Sequence, residues 1–268
     1  MSDPFGLGLR YEFRRWENLF PASYKLPEYL QRTAYGTRPD PDGFPDAFQY
    51  SINAKESFFQ FLKARPERMA TFNLAMEAIP FNAAHAVEAY PYDVELTQNP
   101  PSKEGEVLLV DVGGGHGHFV EGVGKRFPGL KGMLVLQDLK EVVDEIKDPK
   151  GFKPMAYDFF TPQPIKGARA YHFSRVFHDW SDEVCRQILS NTVSAMQPGH
   201  SRILISESVL PDMEPPAMPV LMDIVMMLIG GMERSKKQWV GMLEPLGLEI
   251  VRVWKKGGAE VIEARLRE

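Results

Sequence analysis

A cluster of glycines at residues 113–117 follows the hydrophobic run VLLVDV and precedes a segment with a helical pattern. Glycine lets the backbone turn tightly and approach a ligand closely, and the start of a helix presents free N–H groups. A second hydrophobic run ends on Asp138, where a carboxylate can accept hydrogen bonds from both hydroxyls of a ribose. We expect an adenosine-bearing ligand here, with contacts from Asp111, Gly113, Gly114, Gly115 and Asp138.

Two common glycine motifs do not fit this segment. The dinucleotide fingerprint G-x-G-x-x-G, counted from Gly113, would need glycine where His118 stands. The Walker pattern G-x-x-x-x-G-K followed by serine or threonine is also absent from the segment. The motifs therefore favour a ligand that carries adenosine without a pyrophosphate or a triphosphate.

The third hydrophobic run ends in YDFF, which offers contacts for an adenine ring. Asp158 can accept a hydrogen bond from the adenine amino group, and Phe159 can lie against the ring face. An ordinary turn after a strand is the alternative explanation of the glycines. Acids at successive strand ends, Asp138 and Asp158, favour a binding site over that alternative.

Alternating strand and helix patterns after Glu106 predict a parallel sheet covered by helices on both faces. The two last strand-like runs are separated only by Gly257 and Gly258, which predicts an antiparallel hairpin. Residues 1–100 have helical patterns, and the segment YPYDVELTQNPPSKEGE breaks the periodicity. We therefore expect a helical, substrate-side linking segment at 1–100 and an α/β catalytic domain at 101–268.

Composition excludes several classes of protein. The chain has 268 residues, 44% of them hydrophobic and 25% charged, which is typical of a globular protein. A formal net charge of -5 provides no broad cationic surface, so we expect no nucleic-acid partner.

Targeting signals are not evident in the sequence. The first residues contain no basic segment followed by an apolar core, and Asp223 interrupts the longest apolar run. Cys185 is the single cysteine, so an intrachain disulfide is excluded and a reducing compartment is favoured. We expect a cytoplasmic protein that does not span a membrane.

The motifs VDVGGGHGHF, LVLQDL, FHDWSDE, ISESVLP and GGMER occur in this order and resemble a known family. They are similar to the S-adenosylmethionine-dependent O-methyltransferases of plant phenolic and fungal polyketide metabolism, especially the fungal branch. The resemblance implies the seven-stranded, Rossmann-like methyltransferase variant of the doubly wound fold. It also adds Leu139 to the cofactor contacts, with S-adenosylhomocysteine as the product. Where the family often has a basic residue, this chain has Ser174 followed by Arg175, and both are candidate adenine-side contacts.

The resemblance also assigns a general base. An attacking hydroxyl must lose its proton as it takes the methyl group, and a neutral imidazole suits this task. The histidine of HDW is His178 here, and the family's two orienting acids correspond to Glu207 and Glu233. Capping of a segment by Glu207 and a surface pair between Glu233 and Arg234 are the alternatives.

Candidate substrate contacts come from two segments. The methionines of MPVLMDIVMMLIGGMER form either a buried helix or part of a pocket for a planar aromatic or polyketide substrate. Met226 and Met227 are our pocket candidates. The family element FNLAM implies Asn73 and Met76 as further contacts. His116 and His118 have no third ligand at metal spacing, so we predict no metal.

Family members normally carry an additional N-terminal winged-helix and dimerisation domain, and this chain begins after the position of that domain. The expectation is a monomer or an atypical association, which includes association with a protein partner. Two other functions stay open at this point. One is a non-methylating pericyclase that binds the same cofactor, and the other is a catalytically silent binding or assembly subunit.

Overall fold

The computed structural model describes residues 6–36, 40–78, 83–97, 105–130 and 132–267, with side chains from residue 19 onward except those of 73–85. Two compact units are formed, Met1–Phe81 with Pro216–Glu233, and Asn82–Pro215 with Arg234–Glu268. The predicted domain boundary near residue 100 lies outside the described residues and stays a prediction.

The first unit contains helices from both of its chain segments. They are α1 (Gly6–Arg32), α2 (Ala47–Ile52), α3 (Phe58–Lys63), α4 (Pro66–Ala78) and α10 (Ala217–Met227). Apolar side chains of α1, α2 and α3 form a core with Leu228, which directly follows α10. Phe48 and Phe58 pack edge to face there, with ring centroids 5.2 Å apart. The described part of the chain contains no helix with both the length and the apolar character needed to cross a bilayer.

The second unit contains a seven-stranded sheet in the order β3-β2-β1-β4-β5-β9-β8. Its strands are β1 (Val107–Val112), β2 (Met133–Asp138), β3 (Lys153–Ala156), β4 (Ala170–Ser174), β5 (Arg202–Ser206), β8 (Leu248–Lys256) and β9 (Ala259–Leu266). The first five strands in this order are parallel, and β9 pairs antiparallel with both β5 and β8. The predicted doubly wound α/β fold with a C-terminal antiparallel hairpin is confirmed.

Alternating side chains of the central strands enter two cores, one on each face of the sheet. Val110 belongs to one core and Leu109 to the other. The helices are α5 (Ala83–Ala89), α6 (Tyr92–Glu95), α7 (His118–Arg126), α8 (Lys140–Val143), α9 (Asp182–Val193) and α11 (Lys236–Leu243). Residues of α9 and α11 line the first core, whereas α5 and α7 contribute to the second. Burial on both faces explains why these strands are almost continuously apolar.

Two smaller features complete this unit. The hairpin turns at Gly257 and Gly258, whose φ angles of 58° and 86° are the positive values that a two-residue hairpin turn requires. A separate pair of short parallel strands joins β6 (Val209–Leu210) to β7 (Arg234–Ser235). The predicted hairpin is confirmed, and the pairing of β6 with β7 anchors the chain where it re-enters the unit.

Candidate active site

The glycine cluster forms a loop at the carboxyl end of β1. Gly113, Gly115 and Gly117 have φ angles of 70°, 59° and 88°, values that side-chain-bearing residues rarely adopt. The N–H of Gly113 donates to the Gln137 carbonyl at 2.7 Å, which ties the loop to β2. Gly117 precedes the first residue of α7, so the loop leads directly into the helix start.

Packing beneath the loop requires glycine at two positions. A Cβ atom on Gly114 would lie 2.4 Å from Asp111 Oδ2 and 2.5 Å from Leu136 Cδ1. A Cβ atom on Gly117 would lie 2.7 Å from Cζ of Phe152. The backbone therefore rests directly on the buried Asp111 carboxylate, a role for this acid that the sequence did not indicate.

Asp138 joins the glycine loop to the end of β2. Its Oδ2 accepts a hydrogen bond from the Gly115 N–H at 2.8 Å, and its Oδ1 accepts one from the Leu139 N–H at 2.7 Å. Burial raises the pKa of the Asp138 carboxyl, although these two N–H groups act in the opposite direction. Each carboxylate oxygen has further acceptor capacity, so Asp138 can still receive hydrogen bonds from a diol.

An aromatic ring borders the loop on its other side. Phe159 Cε1 lies 3.7 Å from the position that a Cβ atom on Gly113 would take. The amide of Asn191 donates to the Phe159 carbonyl at 2.9 Å. The Asp158 carboxylate accepts the Phe160 N–H at 2.9 Å and so shapes the turn that presents Phe159. The structure therefore brings Gly113 and Phe159 together.

Ser174 and Arg175 lie where β4 ends. Ser174 pairs in register with Ser206, the last residue of β5. Arg175 has a φ of 55°, and its N–H donates to the Ser206 carbonyl at 3.2 Å. A positive φ at a residue other than glycine is uncommon and occurs where the surrounding structure enforces it. This bend turns the chain out of the sheet before His178.

His178 lies in a short 3-10 turn, Phe177–Asp179, and its side chain is buried. Glu207 Oε1 accepts hydrogen bonds from the backbone N–H groups of Phe177 at 2.6 Å and His178 at 3.3 Å. The His178 Nε2 atom lies 3.6 Å from Asp179 Oδ1. The structure thus brings His178 and Glu207 together. The acid binds the main chain of the candidate base through these hydrogen bonds.

Arg234 fixes the same turn from another segment, which sequence reasoning did not predict. Its side chain donates to the Phe177 carbonyl at 2.8 Å and to the Trp180 carbonyl at 2.7 Å. A further bond of 2.8 Å reaches Asp182 Oδ1. Arg234 and Glu233 are both buried, so the alternative of a surface pair between them is wrong.

Glu233 is the last residue of the first compact unit. Its backbone N–H donates to Asp223 Oδ1 of α10 at 2.8 Å. Met226 is buried, and Met227 borders a cavity of about 580 Å³ within the same unit, together with Tyr29. Asn73 and Met76 fall on α4, but their side chains lie outside the described residues.

A hydrogen-bonded chain of side chains crosses three strands, and no local pattern in the sequence predicted it. His172 of β4 contacts Asp111 Oδ1 through Nδ1 at 2.8 Å and Ser206 Oγ through Nε2 at 2.7 Å. The signal that points to it is a histidine in the otherwise apolar run AYHF. The register that places these three residues side by side follows only from the pairing of the strands.

The glycine loop, the acid Asp138 and the His178 turn all lie at the carboxyl ends of the strands of a doubly wound sheet. This arrangement is typical of nucleoside-binding α/β domains. Within that class, a family model described as an O-methyltransferase domain matches residues 45–249. The chain belongs to this family.

Fungal relatives share this similarity. The chain is 36% identical over 236 residues to methyltransferase cfoC of Aspergillus candidus, which covers 87% of this chain and 58% of cfoC. It is 37% identical over 253 residues to O-methyltransferase mfmE of Annulohypoxylon moriforme, covering 92% of this chain and 61% of mfmE. The chain therefore spans about three fifths of these relatives.

Two solved structures illustrate the similarity in fold. One, described as a pericyclic reaction enzyme, superposes with a TM-score of 0.86 at 28% identity and covers 97% of this chain and 68% of its own. Another is the complex of LepI with SAM, with a TM-score of 0.85, 29% identity, and coverage of 97% and 67%.

Proposed function

We propose that this protein is an S-adenosylmethionine-dependent O-methyltransferase that acts on a hydroxyl of a small aromatic or polyketide-type metabolite. The observation that carries the proposal is that the glycine loop and the His178 turn both lie at the carboxyl ends of the parallel strands. The glycine loop follows β1, while the His178 turn follows β4 and is bonded to Glu207 at the end of β5. Membership in the O-methyltransferase domain family supports the same reaction.

The residues of the loop fit the proposed cofactor. Asp138 supplies carboxylate oxygens for ribose hydroxyls, and Phe159 supplies an apolar face for adenine beside Gly113. The second oxygen of Asp111 is buried and accepts no hydrogen bond from the residues that the structure describes. S-adenosylmethionine, when bound, supplies an electrophilic methyl group. We assign Gly114, Leu139, Asp158, Ser174 and Arg175 to the surroundings of this cofactor as well.

His178 is the proposed general base. A neutral imidazole there takes the hydroxyl proton as the oxygen attacks, which removes the positive charge that would otherwise build up on that oxygen. The Glu207 carboxylate accepts a hydrogen bond from the backbone N–H of His178, and this bond restrains the main chain that carries the imidazole ring. By the family pattern, we propose Glu233 as the second orienting acid.

The substrate side of the proposal rests on apolar and aromatic groups of the first unit. Met227 and Tyr29 both border its cavity, and a flexible thioether and an aromatic ring in the wall of a pocket suit a planar, apolar acceptor. Met226, Asn73 and Met76 are the further proposed contacts. The volume of about 580 Å³ is within the range usual for small-molecule sites.

A pericyclic reaction is the second candidate function. The similarity to a structure described as a pericyclic reaction enzyme favours it, because that fold match covers 97% of this chain. In such a reaction the acceptor would rearrange without gaining a methyl group. The buried His178 and its bonded Glu207 favour methyl transfer, since a base is needed when a hydroxyl proton must leave.

The experiment that tests the proposal uses S-adenosylmethionine labelled in its methyl group and a panel of phenols and aromatic polyketides. Mass spectrometry of the products should show the label on an acceptor oxygen. An altered product without label would replace methyl transfer with a rearrangement. Unchanged acceptors, together with cofactor binding by calorimetry, would instead indicate a binding subunit.

A further inference from the structure

A line of buried polar side chains crosses three neighbouring strands of the sheet. Asp111 on β1, His172 on β4 and Ser206 on β5 are hydrogen bonded in that order, at 2.8 and 2.7 Å. Asp111 and His172 are fully buried, and Ser206 is 6% exposed. Polar side chains that are buried in a sheet are normally hydrogen bonded, and these three are hydrogen bonded to one another.

When Asp111 is ionised and His172 is neutral, each of these bonds has a defined direction. An ionised carboxylate can only accept, so His172 Nδ1 donates to Asp111. In a neutral imidazole the other nitrogen then accepts, and the Ser206 hydroxyl donates to it. Phe119 stacks on the His172 ring, with centroids 3.8 Å apart and planes inclined by 13°. The ring is therefore held by two hydrogen bonds and one stacked face.

One end of the line lies under the glycine loop. Asp111 Oδ2, the oxygen not bonded to His172, would be 2.4 Å from a Cβ atom on Gly114. Phe119, which stacks on His172, belongs to α7, the helix that begins directly after the loop. His172 therefore contacts one residue on each side of the loop, Asp111 before it and Phe119 after it.

The other end of the line reaches the histidine turn. The Ser206 carbonyl accepts the Arg175 N–H, at the bend that precedes this turn. Ser206 is followed in the chain by Glu207, whose carboxylate accepts the N–H groups of Phe177 and His178. The Ser206 side chain thus anchors the strand end from which Glu207 extends.

We propose that Asp111, His172 and Ser206 form a positioning relay, which keeps the Glu207–His178 turn in a fixed place relative to the glycine loop. Serine, histidine and aspartate also form hydrolytic triads, but Ser206 is buried in the sheet, which withholds its hydroxyl from a substrate. The kinetic part of this inference rests on the proposed function, because the relay acts through His178.

Ser206→Ala is the test variant, and Ser201→Ala is its matched control. Ser201 precedes β5, is equally buried, and donates a hydrogen bond of 2.7 Å to the Ala168 carbonyl. If the relay positions His178, Ser206→Ala lowers kcat about 10- to 100-fold, because small displacements of a catalytic group have effects of this order. Affinity for S-adenosylhomocysteine stays at the wild-type value, Ser206→Thr restores most of kcat, and Ser201→Ala keeps it.

Three results would overturn the relay: equal kcat values for the two alanine variants, a loss of cofactor affinity that accounts for the loss of rate, or failure of threonine to restore kcat. If Ser206→Ala does not fold, Ser206→Cys replaces it, since a thiol keeps the volume and donates weakly.

A readout that does not depend on activity is the NMR spectrum of protein with ¹⁵N-labelled histidines. The His178 ring signals should move in Ser206→Ala and keep their positions in Ser201→Ala. Unmoved His178 signals in both variants would contradict the relay. If the wild-type protein methylates no acceptor, the proposed function fails, and the spectrum alone decides whether the relay exists.

Discussion

The carboxylate of Glu207 accepts the backbone N–H of His178 at 3.3 Å, so this acid holds the candidate base by its main chain. The same oxygen accepts the Phe177 N–H at 2.6 Å. An acid that orients only an imidazole ring would affect the rate alone. An acid that also satisfies two backbone donors affects the folded state as well, because unpaired buried donors destabilise it.

Glu207→Gln and Glu207→Ala should therefore differ. The glutamine variant retains an acceptor oxygen, so we expect a modest loss of turnover and a nearly normal melting temperature. The alanine variant leaves the Phe177 and His178 N–H groups unpaired, which should lower the unfolding free energy by about 1–3 kcal/mol. Thermal and urea denaturation measure the difference. Equal stability of the two variants would contradict the backbone role of Glu207.

Asp138→Ala should weaken cofactor binding by about tenfold or more, since charge-assisted hydrogen bonds each contribute about 1.5–3 kcal/mol. Titration calorimetry with S-adenosylhomocysteine measures the dissociation constant. Asp144→Ala is the control, because Asp144 is exposed and pairs with Lys140 on α8. A similar change in both variants, or none in either, would place the ribose away from Asp138.

The raised pKa of the Asp138 carboxyl predicts a dependence of stability on pH. A carboxyl group that binds its proton more tightly in the folded state contributes most to the free energy of unfolding below its unfolded pKa of about 3.9. That contribution is lost as the pH rises through the raised folded pKa. The unfolding free energy of the wild type minus that of Asp138→Asn should therefore fall from pH 4 upward. Urea denaturation measures it, and a difference that grows with pH would refute the prediction.

Gly114→Ala should destabilise the fold by about 1–3 kcal/mol, the usual effect of overpacking, because its Cβ would overlap Asp111 Oδ2 and Leu136. Gly241→Ala is the control. Gly241 lies inside α11 with open space around it, so alanine there should raise stability by about 0.5–1 kcal/mol. Melting temperatures that fall equally in both variants would show that the contact beneath the loop is unimportant.

Removal of metal ions should leave the rate unchanged, because the proposed reaction needs only a base and an electrophilic methyl group. Activity before and after dialysis against a chelator tests this. A rate that falls on dialysis and returns with one particular divalent cation would show that a metal takes part in the reaction.

The sequence predicted the parts of the fold that depend on local patterns. Short apolar runs located the strands, and Gly257 with Gly258 predicted the hairpin, because each signal lies within a few neighbouring residues. The loop at 113–117 was predicted for the same reason. The prediction that Asp138 and Phe159 contact a ligand follows from their positions, Asp138 at the end of β2 and Phe159 three residues after β3.

Features that depend on contacts between distant parts of the chain were not predicted. His172 contacts Asp111 and Ser206 only because β4 lies between β1 and β5, an order that no local pattern encodes. Likewise, the bonds from Arg234 to the carbonyls of Phe177 and Trp180 join residues that are far apart in the chain. Similarly, the inclusion of α10 in the unit of the first helices depends on long-range packing.

The most direct test of the proposed function is the rate of methyl transfer by His178→Gln under conditions where the chemical step limits turnover. We predict a loss of about 10²–10⁴-fold, the usual contribution of a positioned base, with unchanged affinity for S-adenosylmethionine. His200→Gln is the control, since His200 lies 3.0 Å from the Glu106 carboxylate and has no proposed catalytic role. It should keep the wild-type rate. Methyl transfer by His178→Gln at the wild-type rate would contradict the assignment of His178 as the general base.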